Sequence, residues 1–336
     1  MKIVITDPSL IAHRSAFEMG VGPGTVISWH KSWNDPGVVP ALRDADVLVG
    51  PRLTKEMAAA ATSVRLIHTA GAGFDGIDPD ALSVGAVCAN TFHHEGSVAE
   101  YVASVLVMLR RNLTVQDAAL REGKWYSSVY CPGLPQPRTL RGAVVTFLGF
   151  GHIGVASWKL LDAFGAKGIA VTRTGSVDAK AHGLRWAGRN QDLSRALEES
   201  DVLVISTPLT PATTGIIGKR ELEALGPQGL LVNVARGPVV QEEELYSALK
   251  HRSLAGAAID VWYQYPAADG LGKPSTLPFE SLDNVILTPH SSAVTEETFR
   301  GRSQEIIENI NRLATGRPVR NVVMAGQAHS VTEPAL

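Results

Sequence analysis

Short apolar runs rich in valine and isoleucine recur along the chain, and segments long enough for helices separate them. Most runs lack the polar alternation of a half-solvated sheet, so they predict strands buried on both faces of a parallel sheet. These runs are Lys2–Thr6, Asp46–Gly50, Arg65–Thr69, Ala86–Ala89, Ala143–Leu148, Ile169–Thr172, Val202–Ser206, Leu230–Val234, Ala257–Val261 and Val285–Leu287. Strands that alternate with helical segments predict an α/β protein built from repeated βαβ units.

Two helices can be placed from their start signals. Ser97 and Glu100 have the spacing of a capping box, which predicts a helix over the run Tyr101–Leu109. That run is apolar almost all round, so we expect the helix to be buried. A second helix is predicted to begin near Thr295 and to end at Gly316.

Composition narrows the class of protein. A length of 336 residues favours two domains, and a net charge of −2 offers no field to recruit nucleic acid or an anionic membrane. The chain has only two cysteines, Cys88 and Cys131, which excludes a disulfide scaffold and argues against a metal cluster bound by thiolates. With no long apolar stretch and no recognisable leader, we expect a soluble, cytoplasmic protein that does not bind membranes.

A glycine-rich loop follows one predicted strand. Gly149, Gly151 and Gly154 form a G-x-G-x-x-G pattern between the run Ala143–Leu148 and the helical segment Val155–Phe164. The first glycine permits a tight turn, the second lets the backbone approach a pyrophosphate, and the third allows helix and strand to pack closely. In this context the pattern predicts a dinucleotide-binding loop.

The next strand predicts which dinucleotide is bound. An acid usually ends this strand and binds the adenosine ribose, but the chain has Thr172, Arg173 and Thr174 there. An arginine suits a phosphate group, and the missing acid removes a repulsion. We therefore predict NADP as the cofactor, with NAD as the alternative.

Several motifs in order resemble the D-isomer-specific 2-hydroxyacid dehydrogenase family, which includes glyoxylate/hydroxypyruvate reductases and phosphoglycerate dehydrogenases. They span nearly the whole chain and comprise Gly71-Ala-Gly-Phe-Asp75, Ser97-Val-Ala-Glu100, the glycine loop, Thr207-Pro-Leu-Thr-Pro211, Asn233-Val-Ala-Arg-Gly237, Asp260-Val-Trp262 and Thr288-Pro-His290.

The resemblance implies a fold and a domain arrangement. It implies two doubly wound parallel-sheet lobes, with a Rossmann dinucleotide domain (residues 99–291) inserted into a flavodoxin-like substrate domain (residues 1–98 and 292–336). It also implies a homodimer. The cofactor would be contacted by the loop residues Gly149, Gly151, His152, Ile153 and Gly154, by Thr172, Arg173 and Thr174, and by Thr207, Pro208, Val234, Ala235 and Asp260.

The family's reaction, hydride transfer between a nicotinamide cofactor and a small 2-hydroxy or 2-oxo acid, explains the polar residues. Reduction of a 2-oxo acid needs a proton for the carbonyl oxygen, and His290 is the expected acid/base because imidazole titrates near neutral pH. The planar fork of Arg236 suits a carboxylate. The resemblance assigns the substrate carboxylate to the amides near Ala72 and Gly73.

One position departs from the family pattern. Most members place a glutamate five residues after the aspartate of the Asp-Val-aromatic motif, where it pairs with the catalytic histidine, but this chain has Tyr265. Either Tyr265 or Gln264 orients the imidazole, or an acid arrives from Asp269 or Glu280. We include Tyr265 among the candidate catalytic residues.

Two alternative functions remain open at this stage. A neutral residue at position 265 is also typical of formate dehydrogenases, so a formate- or phosphite-type dehydrogenase is one alternative. However, His94 stands where those enzymes carry an asparagine. We assign His94 to binding an anionic substrate, with the supply of a second proton as the alternative role. The other alternative is a dinucleotide-sensing, corepressor-like protein, although Arg236 and His290 argue for catalysis.

Overall fold

The computed structural model describes residues 1–266 and 270–326. Its strands are β1 (Lys2–Ile5), β2 (Val26–Trp29), β3 (Val47–Val49), β4 (Leu66–His68), β5 (Val87–Ala89), β6 (Val144–Leu148), β7 (Lys167–Thr172), β8 (Trp186–Arg189), β9 (Val202–Ile205), β10 (Leu230–Asn233), β11 (Gly256–Ile259), β12 (Val285–Leu287) and β13 (Val322–Ala325).

The α-helices alternate with these strands. They are α1 (Arg14–Gly20), α2 (Val38–Leu42), α3 (Lys55–Ala60), α4 (Glu95–Arg110), α5 (Leu113–Arg121), α6 (His152–Ala163), α7 (Leu193–Glu198), α8 (Lys219–Leu225), α9 (Glu242–Lys250) and α10 (Glu296–Ala314).

The chain divides into two compact units. The first unit contains Met1–His93 and the chain from Thr295 onward, and the second unit contains His94–Val294. The chain therefore enters the first unit twice, and α10 and β13 complete a unit begun at the amino terminus.

The sheet of the first unit has the order β13-β5-β4-β3-β1-β2 within the described residues. Strands β1 to β5 are parallel and lie in the order 2-1-3-4-5, which is the flavodoxin-like winding. Strand β13 pairs with β5 in the antiparallel direction. The parallel, doubly wound character predicted for this lobe is confirmed.

The sheet of the second unit is parallel, with the order β12-β11-β10-β9-β6-β7-β8 in the part of the chain that is described. Counted from β6, this is the Rossmann order 3-2-1-4-5-6 with β12 added at the edge. The winding changes direction between β6 and β9, and dinucleotides bind beyond the carboxyl ends of the strands at such a switch point.

Burial on both faces explains the unbroken apolar runs. In β9, Val202 and Val204 pack in one core cluster of the second unit, while Leu203 and Ile205 pack in the other. Successive side chains of a strand point to opposite faces, so both sets must be apolar when helices cover both sides of the sheet. All ten strands predicted from apolar runs are present in the structure.

Three strands were missed by the sequence pattern, namely β2, β8 and β13. Each lies at or next to an open edge of its sheet in the described structure and is only partly buried. A strand with one partner and partial cover can include exposed and polar residues, so its sequence does not form an apolar run.

The start predicted for the long helix is wrong. Helix α4 begins at Glu95 with His94 as its N-cap, so Ser97 and Glu100 lie inside the helix rather than at its start. Glu95 instead supplies the negative charge that favours a helix amino terminus. For α10 the prediction is confirmed, because the Thr295 side chain accepts from the Thr298 amide at 3.3 Å and Gly316 follows with a positive φ of 68°.

Among the described residues, no helix combines the length and the apolar character needed to cross a membrane.

Candidate active site

The glycine loop between β6 and α6 has two positions that require glycine. Gly149 has a φ of 91°, and a Cβ there would lie 2.8 Å from the Ser206 carbonyl carbon and the Thr207 amide nitrogen. A Cβ on Gly154 would lie 2.9 Å from the Gly149 carbonyl oxygen. The loop therefore folds back against the segment after β9, where the Ser206 hydroxyl donates to Gly149 O at 2.9 Å.

The middle glycine faces open space instead. A Cβ on Gly151 would meet no protein atom within 4 Å, and Gly151 is the N-cap of α6. Its missing side chain leaves room beside the first-turn amides of that helix, where phosphate groups bind. The loop thus fits the pyrophosphate of a dinucleotide. The side chain of His152 instead points to Glu95, with Nδ1 3.3 Å from Oε1, and Ile153 is partly buried.

Hydroxyl groups and two arginines gather at the carboxyl end of β7. Thr172 Oγ1 accepts from the Gly175 amide at 3.0 Å, and Thr174 Oγ1 lies 2.7 Å from Ser176 Oγ. Arg173 is exposed beside them. Arg189, at the end of the neighbouring β8, donates from Nε to Thr174 O at 3.1 Å.

Arg189 was not found from the sequence. Its strand β8 is one of the missed edge strands, and only the pairing of Thr172 with Arg189 across β7 and β8 brings it to this loop. The chain thus places a second guanidinium beside the position of Arg173, at the sheet edge where dinucleotide folds bind the adenosine ribose.

His290 lies in a strained turn after β12. Its φ is 56°, a left-handed conformation that is uncommon for a residue with a side chain. Its Nδ1 is 3.0 Å from the phenolic oxygen of Tyr265, and the two rings lie with centroids 5.6 Å apart. Strained residues persist where the surroundings hold them in place, and they cluster at active sites.

The buried carboxylate of Asp260 holds this turn. Its Oδ1 accepts from the Thr288 hydroxyl at 2.6 Å and from the Ser291 amide at 2.8 Å, and its Oδ2 accepts from the Ser292 amide at 3.1 Å. Because the Thr288 hydroxyl donates to Asp260, it accepts from Tyr101 Oη at 2.8 Å. These bonds fix the backbone on both sides of His290. That Asp260 also contacts the cofactor stays a prediction.

Tyr265 is a neutral phenol at ordinary pH. Partial burial of its ring raises the pKa of Tyr265, an effect that the charge of Arg236 opposes and the charge of Asp260 reinforces. Burial likewise raises the pKa of Tyr101 to about 12.

Arg236 is positioned by the end of β10. The Asn233 amide group donates to Arg236 O at 3.0 Å, and its Oδ1 accepts from the Ala235 amide at 3.1 Å. Val234 and Ala235 are buried, and Arg236 Nη1 donates to Ala235 O at 2.8 Å. The side-chain amide of Asn233 thus shapes the loop that carries the guanidinium.

In the first unit, the loop after β4 has its carbonyl groups tied down. Gly71 O accepts from the Thr69 hydroxyl at 2.9 Å and from the Thr91 amide at 3.2 Å, and Ala72 O accepts from the Asn90 side chain at 2.9 Å. The peptide bonds of the described residues are trans, so each N–H points away from the preceding carbonyl. The N–H bonds of Ala72 and Gly73 therefore point away from the tied carbonyls of Gly71 and Ala72. That these two amides bind the substrate carboxylate stays a prediction.

The remaining predicted residues are placed as follows. His94 is buried as the N-cap of α4. Thr207 and Pro208 follow β9, and Pro208 O accepts from the Thr213 hydroxyl at 2.7 Å. Of the proposed partners of His290 within the described residues, Tyr265 is the one whose side chain is seen to contact the imidazole. The backbone amide of Gln264 donates to Pro274 O. Glu280 lies exposed on a short 3₁₀ turn. Asp269 lies outside the described residues.

Comparison with known proteins places the chain among dehydrogenases. The family model described as "D-isomer specific 2-hydroxyacid dehydrogenase, NAD binding domain" matches residues 103–292. The chain is 31% identical to a glyoxylate reductase of Thermofilum pendens over 82% of this chain and 80% of that protein. It is 30% identical to a D-3-phosphoglycerate dehydrogenase of Methanocaldococcus jannaschii over 96% of this chain, but it spans only 59% of that relative's length.

The chain is also similar to the solved structure of a reductase. The NADPH-dependent glyoxylate/hydroxypyruvate reductase of Sinorhizobium meliloti, solved with NADP and malonate, superimposes with a TM-score of 0.77 at 25% identity. The match covers 97% of this chain and 99% of that chain.

Two alanine substitutions separate the two kinds of glycine in the loop. Gly151→Ala puts a methyl group into the open space at the helix amino terminus, so we expect about tenfold weaker dinucleotide binding and an unchanged Tm. Gly149→Ala forces a methyl group against backbone atoms at positive φ, so we expect a loss of about 2 kcal/mol or more in unfolding free energy. Calorimetric titration and urea unfolding measure the two effects. Equal effects of both substitutions on stability would contradict the assignment.

Proposed function

The chain belongs to the D-isomer specific 2-hydroxyacid dehydrogenase family, and we propose that it reduces a small 2-oxo acid such as glyoxylate or hydroxypyruvate with NADPH. The observation that carries this proposal is the strained turn of His290, which Asp260 holds and whose imidazole contacts Tyr265. The second unit is assigned to the dinucleotide and the first unit to the substrate, in agreement with the region that the family model matches.

In this mechanism the bound nicotinamide supplies the hydride that reaches the carbonyl carbon. His290 donates a proton to the carbonyl oxygen as its negative charge develops. The proton leaves from Nε2, because Nδ1 is engaged by Tyr265. Asp260 holds the turn but makes its described bonds to Thr288, Ser291 and Ser292, so it orients the imidazole through the backbone.

The substrate anion is bound by two kinds of donor. The guanidinium of Arg236 offers a planar fork to the carboxylate and the carbonyl oxygen. The amides of Ala72 and Gly73 point away from the bonded carbonyls of Gly71 and Ala72, and we assign them to the carboxylate. His94 keeps its predicted role in substrate binding.

Substitutions in the His290–Tyr265 pair test this function. We expect the wild-type protein to oxidise NADPH with glyoxylate or hydroxypyruvate, and His290→Ala to lower kcat by about a hundredfold or more without changing NADPH affinity. His251→Ala is the matched control, because His251 is an exposed histidine bonded to Ser247. Unchanged kcat in His290→Ala, or oxidation of formate without turnover of any 2-oxo acid, would refute the proposal.

The same assay over pH tests the role of Tyr265. Reduction needs protonated His290, so activity falls as pH rises through the pKa of that imidazole. A carboxylate at position 265 would stabilise the imidazolium, and we expect Tyr265→Glu to move this fall to higher pH by about one unit or more. Tyr265→Phe, which keeps the ring and loses the hydrogen bond, is the control and should lower kcat at all pH values. Identical pH profiles in the wild type and Tyr265→Glu would exclude an interaction between residue 265 and the imidazole.

We propose NADP rather than NAD as the cofactor because two guanidinium groups and two hydroxyl groups stand at the end of β7. Arg173 and Arg189 supply positive charge, and Thr174 and Ser176 supply short hydrogen-bonding side chains. A ribose 2′-phosphate is a dianion that arginine binds through charge-assisted hydrogen bonds.

Kinetics with both cofactors test this choice. Arg173→Ala and Arg189→Ala should each lower kcat/KM for NADPH by about tenfold or more and change kcat/KM for NADH little. Arg185→Ala is the matched control, because Arg185 precedes the amino end of β8, opposite the end that carries Arg189, and pairs with Glu199 at 3.3 Å. A wild-type kcat/KM for NADH equal to or above that for NADPH would contradict the proposal.

We also propose that two copies of the chain form a homodimer through the second unit. Large side chains along α5 and the following segment are exposed, notably Leu120, Trp125, Val129 and Tyr130. The rings of Trp125 and Tyr130 lie together, with centroids 5.2 Å apart. Exposed apolar side chains grouped in this way are typical of a protein interface. Light scattering should give the mass of a dimer for the wild type and of a monomer for Trp125→Glu with Tyr130→Glu. The control Val84→Glu changes an exposed valine of the first unit and should remain dimeric.

A further inference from the structure

An arginine is buried in the first unit, behind the loop assigned to the substrate carboxylate. Arg302 lies on α10 and is only 8% exposed. Its Nε donates to Phe92 O at 3.0 Å, and its Cζ lies 5.1 Å from the ring centre of Phe299. An arginine on an amphipathic helix usually faces water, so the sequence pattern did not single it out.

The guanidinium lies against the Gly71 backbone. A Cβ built on Gly71 would be 3.9 Å from each of Cζ, Nη1 and Nη2 of Arg302, which means that the glycine covers the flat group without a side chain between them. Gly71 O and Ala72 O are the carbonyls tied down by Thr69, Thr91 and Asn90. The positive charge therefore lies within a few ångströms of Gly71, at the start of the loop whose Ala72 and Gly73 amides are assigned to the carboxylate.

The positive charge of Arg302 acts on the neighbouring Gly71–Gly73 loop. Burying a guanidinium is unfavourable, and an uncharged side chain of similar length could fill the same space beside Phe299. In surroundings of low dielectric constant the charge acts on the loop more strongly than it would in water. Glu305, one turn further along α10, directs its carboxylate to Thr91, His93 and Asn321.

We propose that Arg302 is a positioning residue that makes the Gly71–Gly73 loop selective for an anionic carboxylate. Its charge adds to the field of the Ala72 and Gly73 amides, and its bond to Phe92 O ties the segment after β5 to α10. This inference rests on the proposed function, because it takes that loop to be the carboxylate site. It predicts that removal of the charge raises the KM of a 2-oxo acid and leaves kcat nearly unchanged.

The experiment measures anion binding directly, so that it does not depend on turnover. Oxamate, which carries a carboxylate beside a carbonyl group, is titrated into the NADPH-loaded protein, and oxamide serves as the neutral analogue. Arg302→Met and Arg302→Gln remove the charge, and Arg302→Lys keeps it. Arg300→Met is the matched control, because Arg300 lies on the same helix, is exposed, and pairs with Glu296.

We expect Arg302→Met and Arg302→Gln to weaken oxamate binding about tenfold, Arg302→Lys to weaken it less than threefold, and Arg300→Met to leave it unchanged. Oxamide binding should change in none of them. In turnover, Arg302→Gln should raise the KM for glyoxylate by a similar factor with kcat within about twofold.

Three results would overturn the inference. They are unchanged oxamate binding in both neutral variants, equal weakening of oxamate and oxamide, and weakening in Arg302→Lys as large as in Arg302→Met with the Tm retained. Absence of oxamate binding to the wild type would also overturn it. NADPH oxidation by the wild type with glyoxylate and hydroxypyruvate then shows separately whether the proposed function holds.

Discussion

The hydrogen bonds to the Asp260 carboxylate are the interaction on which the candidate active site depends. A buried carboxylate is tolerated when donors surround it, and here one hydroxyl and two backbone amides do so. Those amides belong to the two residues after His290, so satisfying the charge also fixes the turn. A left-handed conformation at a residue with a side chain costs of order 1–3 kcal/mol, and these bonds offset it. The hydrogen bonds of the folded state thereby fix the orientation of the His290 imidazole.

The phenol at position 265 changes the balance of charge at that imidazole. A carboxylate would stabilise the imidazolium, but it would also put a negative charge beside an anionic substrate. Tyr265 reaches the same ring nitrogen at 3.0 Å, and burial raises its pKa, so it stays neutral. The histidine is held in orientation without a second anion.

Backbone groups form the other candidate binding sites, and the fold orients them. At the glycine loop, Gly149 needs its positive φ and its contact with Ser206, and this leaves Gly151 open beside the helix amino terminus. At the Gly71–Gly73 loop, the carbonyls of Gly71 and Ala72 are hydrogen-bonded within the unit, and a buried guanidinium lies against Gly71. A chain with a net charge of only −2 can bind small anions in this way, because a few local donors act at short range.

The sequence by itself determined the architecture and most of the chemical groups. Strands buried on both faces must be apolar throughout, and a phosphate loop needs glycines at fixed spacing, so both are visible in local patterns. Likewise Arg236 and His290 lie within short motifs. Only the tertiary structure decided that Tyr265 reaches His290, that Arg189 joins Arg173, and that Arg302 lies behind Gly71. Each of these contacts joins residues far apart in the chain or on an edge strand with a weak pattern, and packing alone brings them together.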